Sequence, residues 1–172
     1  MQYVQSQIGA EIPCSRIAIN SEFEYQGKTL TVDFHGGLRY RADVDPDDPT
    51  TGVRLRIIGW RVAAESEMGA IVLEQNDVGV GPKSRVHLTL QFPPVYEVRE
   101  TIGFTATIST DDSPVVLTTK EDVVVLCPRV TQFPPRGDLY KLEKAVELVV
   151  EAGRIPYSIV RATQFMDFME AV

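Results

Sequence analysis

Cysteine and histidine are both scarce in this chain, with two of each among 172 residues. They lie far apart in the sequence, so no zinc-binding signature is present. A domain of this length buries roughly two thirds of the surface of its unfolded chain, and it therefore needs no metal or disulfide to fold. We expect Cys14 and Cys127 to be separate reduced thiols, as is usual in the cytoplasm, although the sequence alone leaves their pairing open.

Net positive charge is also missing. The formal net charge is −7 and the isoelectric point is about 4.9. Because a nucleic-acid-binding protein needs a basic patch, and no Lys/Arg cluster exists here, nucleic acid is not an expected partner. Residues 1–14 contain neither a basic region nor a long apolar run, and no segment approaches the length of a membrane span. We therefore expect a cytoplasmic protein without a membrane partner.

Motifs for cofactors and for nucleophilic catalysis are not found either. No segment combines a strand and a helix around a glycine-rich phosphate loop, so a Rossmann-type nucleotide site is not expected. No Gly-x-Ser-x-Gly elbow is present, which is the motif that exposes a nucleophilic serine in many hydrolases. The sequence gives no reason to expect a cofactor.

The main positive signal is an alternation of apolar and polar residues with a period of two. In the segment RVHLTLQF, the apolar residues Val86, Leu88, Leu90 and Phe92 share one face of an extended chain. Half-buried antiparallel strands have this pattern, because successive side chains point to opposite sides of a sheet. Turn residues separate these segments at the spacing of an all-β domain. We predict strands near residues 15–25, 28–35, 38–44, 53–63, 69–75, 84–92, 98–109, 114–119 and 122–131.

The predicted fold is all-β, an antiparallel β-sandwich or a flattened barrel over residues 1–137. Residues 138–172 are interpreted as a helix–strand or hairpin extension of the same domain. One helical face of the segment GDLYKLEKAVELVVEAG carries four apolar residues, Leu139, Leu142, Val146 and Val149. The alternative is a long strand, a turn at EAGR and a second strand in IPYSIVRATQF. A single C-terminal helix is therefore left open.

The tetrapeptide QFPP occurs twice, in LQFPPVYEVR (90–99) and in TQFPPRGDLY (131–140). Proline has no backbone N–H, so two successive prolines end a hydrogen-bonded ladder. We interpret both copies as strand ends and predict that Phe92 and Phe133 point inward. A related segment, TQFMDF, lacks the prolines, and its Phe165 is predicted to point inward if the tail is β.

Two stretches resemble known families. The segment LEKAVELVVEAGRIPYSIVRATQFMDF resembles part of the NmrA-like atypical short-chain dehydrogenases, which implies a helix over residues 139–152. The cofactor-binding glycines and the Tyr-x-x-x-Lys motif of those enzymes have no counterpart upstream, so dehydrogenase activity is not implied. The segments LTVDFHGGLRYRADV, VRLRIIGWRV and IVLEQNDVGVGPKS, together with TQFPPRGDLYKLEK, resemble an uncharacterised β-rich family from actinobacteria. That resemblance implies a β-sandwich-like domain and supplies no site.

Asp33 and His35 are the candidate catalytic residues. On a strand they share one face, where a carboxylate can orient a histidine and raise its pKa, as a general base requires. Gly36 and Gly37 follow directly and would allow a ligand or another strand to approach closely. The simpler interpretation is a solvated polar face that ends in a turn.

Candidate ligand-binding residues are the aromatic side chains of the first third of the chain. Tyr25, Phe34, Tyr40 and Trp60 could line an apolar pocket inside a barrel or between sheets, or simply form the core. In the loop DVDPDDP, the carboxylates Asp43, Asp45 and Asp47 are weak candidates for calcium. The loop lacks the glycine and the bidentate glutamate of an EF-hand, so an acidic turn without metal is expected.

Two functions fit these observations, and whether the protein is an enzyme is left undecided. The first is a binding module without catalytic residues, which takes a small hydrophobic molecule or a protein partner; a homodimer is left open. The alternative is a cofactor-free cyclase or isomerase of bacterial secondary metabolism with an apolar barrel cavity. Such catalysis depends on shape and desolvation and need leave no motif. Its candidate residues are Asp33, His35, Tyr40 and Trp60.

Overall fold

The computed structural model describes residues 8–78, 83–150, 160–162 and 168–170, the last two ranges as backbone only. All regular elements in these ranges are β-strands. Their bounds are β1 (Glu11–Tyr25), β2 (Lys28–Val44), β3 (Gly52–Ser66), β4 (Gly69–Gln75), β5 (Ser84–Leu90), β6 (Val95–Ile102), β7 (Phe104–Ile108), β8 (Val115–Thr119), β9 (Val123–Val130), β10 (Leu139–Leu142), β11 (Val146–Val150), β12 (Val160–Ala162) and β13 (Phe168–Glu170).

The strands form one antiparallel sheet in the order β12-β11-β8-β7-β4-β3-β2-β1-β13-β10-β9-β6-β5. The long strand β3 has two further partners besides β2, because residues 52–55 pair with β5 and residues 61–66 pair with β4. Since β5 also ends the strand order, this pairing folds the sheet back on itself. The predicted all-β fold, a sandwich or flattened barrel, is confirmed.

Two bulges keep the apolar side chains of the long strands on the inner face. The register of β1 against β2 shifts between Ala18 and Ser21, at Asn20, whose φ is 54°. In β3, Ile58 is the extra residue opposite Arg39 and Tyr40. One extra residue shifts the pattern of inward and outward side chains by one position. The apolar side chains before and after the bulge, which are out of step in the sequence, therefore face the same core.

Strand β2 runs without a break through Gly36 and Gly37, where the sequence predicted two shorter strands. A Cβ atom at Gly36 would lie 2.0 Å from the carbonyl oxygen of Arg61, and one at Gly37 would lie 2.6 Å from that of Cys14. The absence of a side chain at Gly36 and Gly37 therefore allows β3 and β1 to pack closely against β2. No turn follows His35.

The predicted strand 98–109 is instead two strands, β6 and β7, separated by Gly103. The backbone N–H of Gly103 donates to Asp77 Oδ2 at 2.9 Å, and a Cβ atom there would lie 2.8 Å from Asn76 Oδ1. The chain bends at this glycine because β6 pairs with β5 and β9, whereas β7 pairs with β4 and β8.

The helical alternative for the tail is wrong for residues 139–150, which contain β10 and β11 joined by a short turn at 143–145. Val146 and Leu148 are buried while Glu147 between them is half-buried, which is the period of a strand. Pairing of β11 with β8 decides this outcome, since tertiary contacts override a local periodicity. Residues 151–152 and Phe165 lie outside the described residues.

The two QFPP copies differ in burial. Phe133 is buried as predicted, with 1% of its surface exposed, but the prediction for Phe92 is wrong, because 82% of it is exposed. Strand β5 ends at Leu90, which is itself half exposed, whereas β9 ends at Val130, which is fully buried. Residues 91–94 therefore turn beyond the edge of the core.

Candidate functional site

The candidate catalytic residues lie on the outer face of β2. Asp33 and His35 are both exposed, beside an open depression that includes Ala63 and Glu65. Asp33 Oδ1 accepts a hydrogen bond from the backbone N–H of Asn20 at 2.7 Å, so it supports the bulge in β1. Among the described residues, no hydrogen bond joins Asp33 to His35.

The candidate ligand-binding residues lie on the inner face. Phe34 and Tyr40 of β2 are fully buried, and Trp60 of β3 and Tyr25 at the end of β1 are almost so. The structure therefore separates the two sets, because neighbouring residues of one strand point to opposite sides of the sheet.

Tyr40 belongs to a group of buried polar side chains that we call the interior cluster, consisting of Arg16, Tyr40 and Glu100. Only 1% of Arg16 and 4% of Glu100 is exposed. Arg16 Nη2 donates to the Tyr40 hydroxyl at 2.5 Å and also to Glu100 Oε1, and the Tyr40 hydroxyl donates to the same carboxylate oxygen. The Arg16 guanidinium lies 4.2 Å from the centre of the Tyr140 ring, which is a favourable cation–π distance.

Three strands supply the cluster, and their alternation explains its burial. Arg16 lies on β1 in the same phase as Cys14 and Ala18, and Glu100 lies on β6 in the same phase as Val98 and Ile102. We did not identify Arg16 or Glu100 from the sequence. The signal that could have identified them is a charged residue in the buried phase of an alternating segment.

A small cavity of about 20 Å³ adjoins the cluster, which is room for roughly one water molecule. Arg16 and Glu100 supply its polar wall. Its apolar wall is formed by Ile57, Trp60, Ile102, Phe104, Val123, Val125, Leu142 and Val146. The rings of Trp60 and Phe104 pack with their centres 5.3 Å apart.

The loop between β9 and β10, residues 131–138, packs against Tyr40 through Phe133. The ring centres of Phe133 and Tyr40 lie 5.7 Å apart. Pro135 of this loop is also buried. Tyr40 therefore contacts both the ion pair and a side chain of this loop.

The cluster can form directional interactions while remaining without net charge. A guanidinium and a hydroxyl donate hydrogen bonds and a carboxylate accepts them, away from water, where such bonds are stronger than at the surface. The paired charges of Arg16 and Glu100 cancel. The same arrangement brings a proton donor, Tyr40, into contact with a proton acceptor, Glu100.

The acidic loop after β2 is neutralised by arginines. Arg54 Nε donates to Asp45 Oδ1 at 2.9 Å, and its Nη2 donates to Asp47 Oδ2 at 2.5 Å. The hydrogen bond to Asp45 raises the pKa of Arg54 against the smaller opposing effect of burial. Asp43 lies 3.6 Å from both Arg41 and Arg56. The three metal candidates thus form ion pairs, and no cluster of metal-ligating side chains occurs in the described ranges.

Cys14 and Cys127 are both buried as thiols. Burial, followed by the nearby carboxylates of Asp138 and Glu100, raises the pKa of Cys127 to about 12. At neutral pH this thiol is protonated, and a protonated thiol is a poor nucleophile. Cys127 therefore adds no nucleophile beside the cluster.

Comparison with known proteins gives a fold relative. No protein-family model matches the chain, and no curated protein matches it. Among solved structures, the chain is similar to DynF from the dynemicin biosynthesis pathway of Micromonospora chersina, with a TM-score of 0.73 and 16% sequence identity. The match covers 95% of this chain and 81% of that one.

At this identity the likeness shows a shared fold. It agrees with the predicted broad resemblance to an actinobacterial protein. The resemblance of the C-terminal segment to NmrA-like dehydrogenases is not supported. In the part of the chain that the structure describes, no helix has the length and apolarity to cross a membrane.

Proposed function

We propose that this protein binds a small hydrophobic molecule inside its sheet, with the polar group of that molecule on the interior cluster. The observation that supports this most is the burial of Arg16 and Glu100 against an apolar wall that includes Trp60. A buried ion pair rarely stabilises a fold more than apolar side chains of similar volume would. A ligand-binding role explains why this core contains one.

Binding requires the interior to open. Ligand pockets typically enclose about 300–1,000 Å³, far more than the cavity beside the cluster. The loop 131–138 is the most suitable part to move. Its residues 134–138 form no backbone–backbone hydrogen bond with other described residues, so the main cost of opening is the lost packing of Phe133 and Pro135. Displacement of Phe133 would expose Tyr40.

A catalytic role is the second candidate, and the contact between the Tyr40 hydroxyl and Glu100 favours it. A phenol and a carboxylate in a water-poor site can give and take a proton, as a cyclase or isomerase needs. The fold similarity to a protein of a bacterial biosynthesis pathway is in line with this role. If the protein is an enzyme, its acid–base residues are Tyr40 and Glu100, since Asp33 and His35 face outward.

Fluorescence offers a direct test, because Trp60 is the only tryptophan in the chain and lines the cavity. The probe is 1-aminoanthracene, a neutral aromatic amine whose absorption overlaps tryptophan emission. We expect saturable quenching of Trp60 with a stoichiometry of one. No saturable quenching would refute the proposal.

A matched pair of variants locates the bound probe. Tyr40→Phe removes a hydroxyl from the cluster, whereas Tyr96→Phe removes one from a buried side chain of β6 that does not line the cavity. We expect Tyr40→Phe to weaken binding by about threefold to tenfold, the effect of one hydrogen bond, and Tyr96→Phe to leave it unchanged. Equal effects of the two substitutions would place the probe elsewhere.

A further inference from the structure

We infer that Glu100 determines which ligands this interior accepts: it selects molecules with a neutral polar group, such as a hydroxyl or carbonyl, and rejects carboxylates. The inference rests on the proposed function and specifies its ligand class. It follows from the charges that face the cavity. Of the residues lining it in the described part of the chain, only Arg16 and Glu100 are charged, and they are bonded to each other.

The guanidinium of Arg16 would by itself attract a carboxylate ligand. However, Nη2 of Arg16 already donates to the Glu100 carboxylate, so the positive charge of the guanidinium is neutralised. A ligand carboxylate would then lose its water, lie close to a second carboxylate and gain no unmatched positive charge, and each of these effects is unfavourable in a buried site.

A neutral polar group meets no such penalty. A ligand hydroxyl can donate to the Glu100 carboxylate and accept from Arg16 or Tyr40, so the hydrogen bonds that it had with water are replaced. A carbonyl group can accept from the same two donors. Hydrogen bonds to charged partners are stronger than neutral ones, so the cluster favours such groups over a purely apolar ligand.

The test compares two ligands of equal chain length, 1-decanol and decanoate, as competitors of 1-aminoanthracene at pH 8 and constant ionic strength. A preference for the alcohol in the unmodified protein is expected but does not suffice, because any apolar pocket shows it. The decisive variant is Glu100→Gln, which preserves shape and removes the negative charge. Glu97→Gln is the matched control, since Glu97 lies on the outer face of the same strand.

In Glu100→Gln we expect decanoate to bind at least about tenfold more tightly than in the unmodified protein, the effect of one charge-assisted hydrogen bond, with 1-decanol little changed. Glu97→Gln should leave both affinities unchanged. An unchanged ratio of the two affinities in Glu100→Gln would overturn the inference. Probe binding without displacement by either competitor would also overturn it, while the proposed function would stand. A protein that binds no probe would refute both.

If Glu100→Gln does not fold, the double variant Arg16→Leu/Glu100→Leu keeps the inference testable, because removal of both charges leaves no buried ion without a partner. This variant should bind 1-decanol about fivefold or more weakly, since the hydroxyl loses its charged partners. Unchanged binding of 1-decanol would show that the cluster does not contact the ligand.

Discussion

The inner and outer faces of the sheet hold ion pairs of very different character. On the outer side, Lys120 lies 3.1 Å from Glu147, and the two side chains are 61% and 32% exposed. On the inner side, the Arg16 and Glu100 side chains are 1% and 6% exposed. Exposed pairs contribute about 0–1 kcal/mol, whereas a buried pair has lost most of its hydration. Of these two pairs, the inner one is therefore much the more costly to break.

The largest expected effect is the loss of one member of the inner pair. Arg16→Ala leaves Glu100 buried without its cationic partner, and we expect it to lower the free energy of unfolding by about 3–5 kcal/mol. Urea denaturation followed by Trp60 fluorescence gives the value. The double variant Arg16→Leu/Glu100→Leu should recover most of this loss. A cost below about 1 kcal/mol for Arg16→Ala would contradict the account of a desolvated pair.

The next prediction compares the two copies of QFPP. Phe133→Ala removes a buried ring that packs on Tyr40 and should cost about 3 kcal/mol. Phe92→Ala removes an exposed ring from the turn after β5, and the free energy of unfolding should change by less than about 0.5 kcal/mol. Equal costs, measured by urea denaturation, would mean that the two turns pack alike.

Gly36 tests the close contact between β2 and β3. Gly36→Ala places a Cβ atom against the carbonyl oxygen of Arg61, which the strands can accommodate only by moving apart. We expect a loss of about 1–3 kcal/mol, typical of overpacking. Gly59→Ala is the control, because a Cβ atom there meets nothing within 4 Å. A Gly36→Ala variant as stable as Gly59→Ala would show that the strands lie further apart.

The smallest effect is expected on the outer face. Lys120→Ala should change the free energy of unfolding by less than about 0.5 kcal/mol, because solvent already screens its pair with Glu147. The same denaturation experiment, at low and at high salt, measures it. A loss comparable to that of Arg16→Ala would remove the distinction between the two faces.

Phe34, Tyr40 and Trp60 were grouped only by their position in the first third of the chain, and local alternation was sufficient to predict the fold class. It could not identify the interior cluster, because Arg16 and Glu100 are 84 positions apart and only the pairing of distant strands brings them into contact. Residues near Val146 fitted helical spacing better than strand spacing, but pairing of β11 with β8 made them a strand.

The identical QFPP segments show the same limit of local sequence. Both contain an aromatic residue followed by two prolines, yet Phe133 returns to the core and Phe92 does not. Both preceding strands have a register shift just before they end, but β9 ends at Val130, which is fully buried, whereas β5 ends at Leu90, which is half exposed. A short motif therefore predicts that a strand ends, whereas the position of that end relative to the core decides burial.

The central claim is that a ligand contacts the interior cluster, and the most direct measurement is NMR of the arginine side-chain Nε–H signals during titration with 1-decanol. Arg16 is buried, so its Nε–H exchanges slowly with water and can be observed at neutral pH. We expect the Arg16 signal to shift saturably, with the signals of the exposed Arg39 and Arg41 unchanged. An Arg16 signal that stays constant while 1-decanol binds, or shifts confined to exposed arginines, would contradict the account.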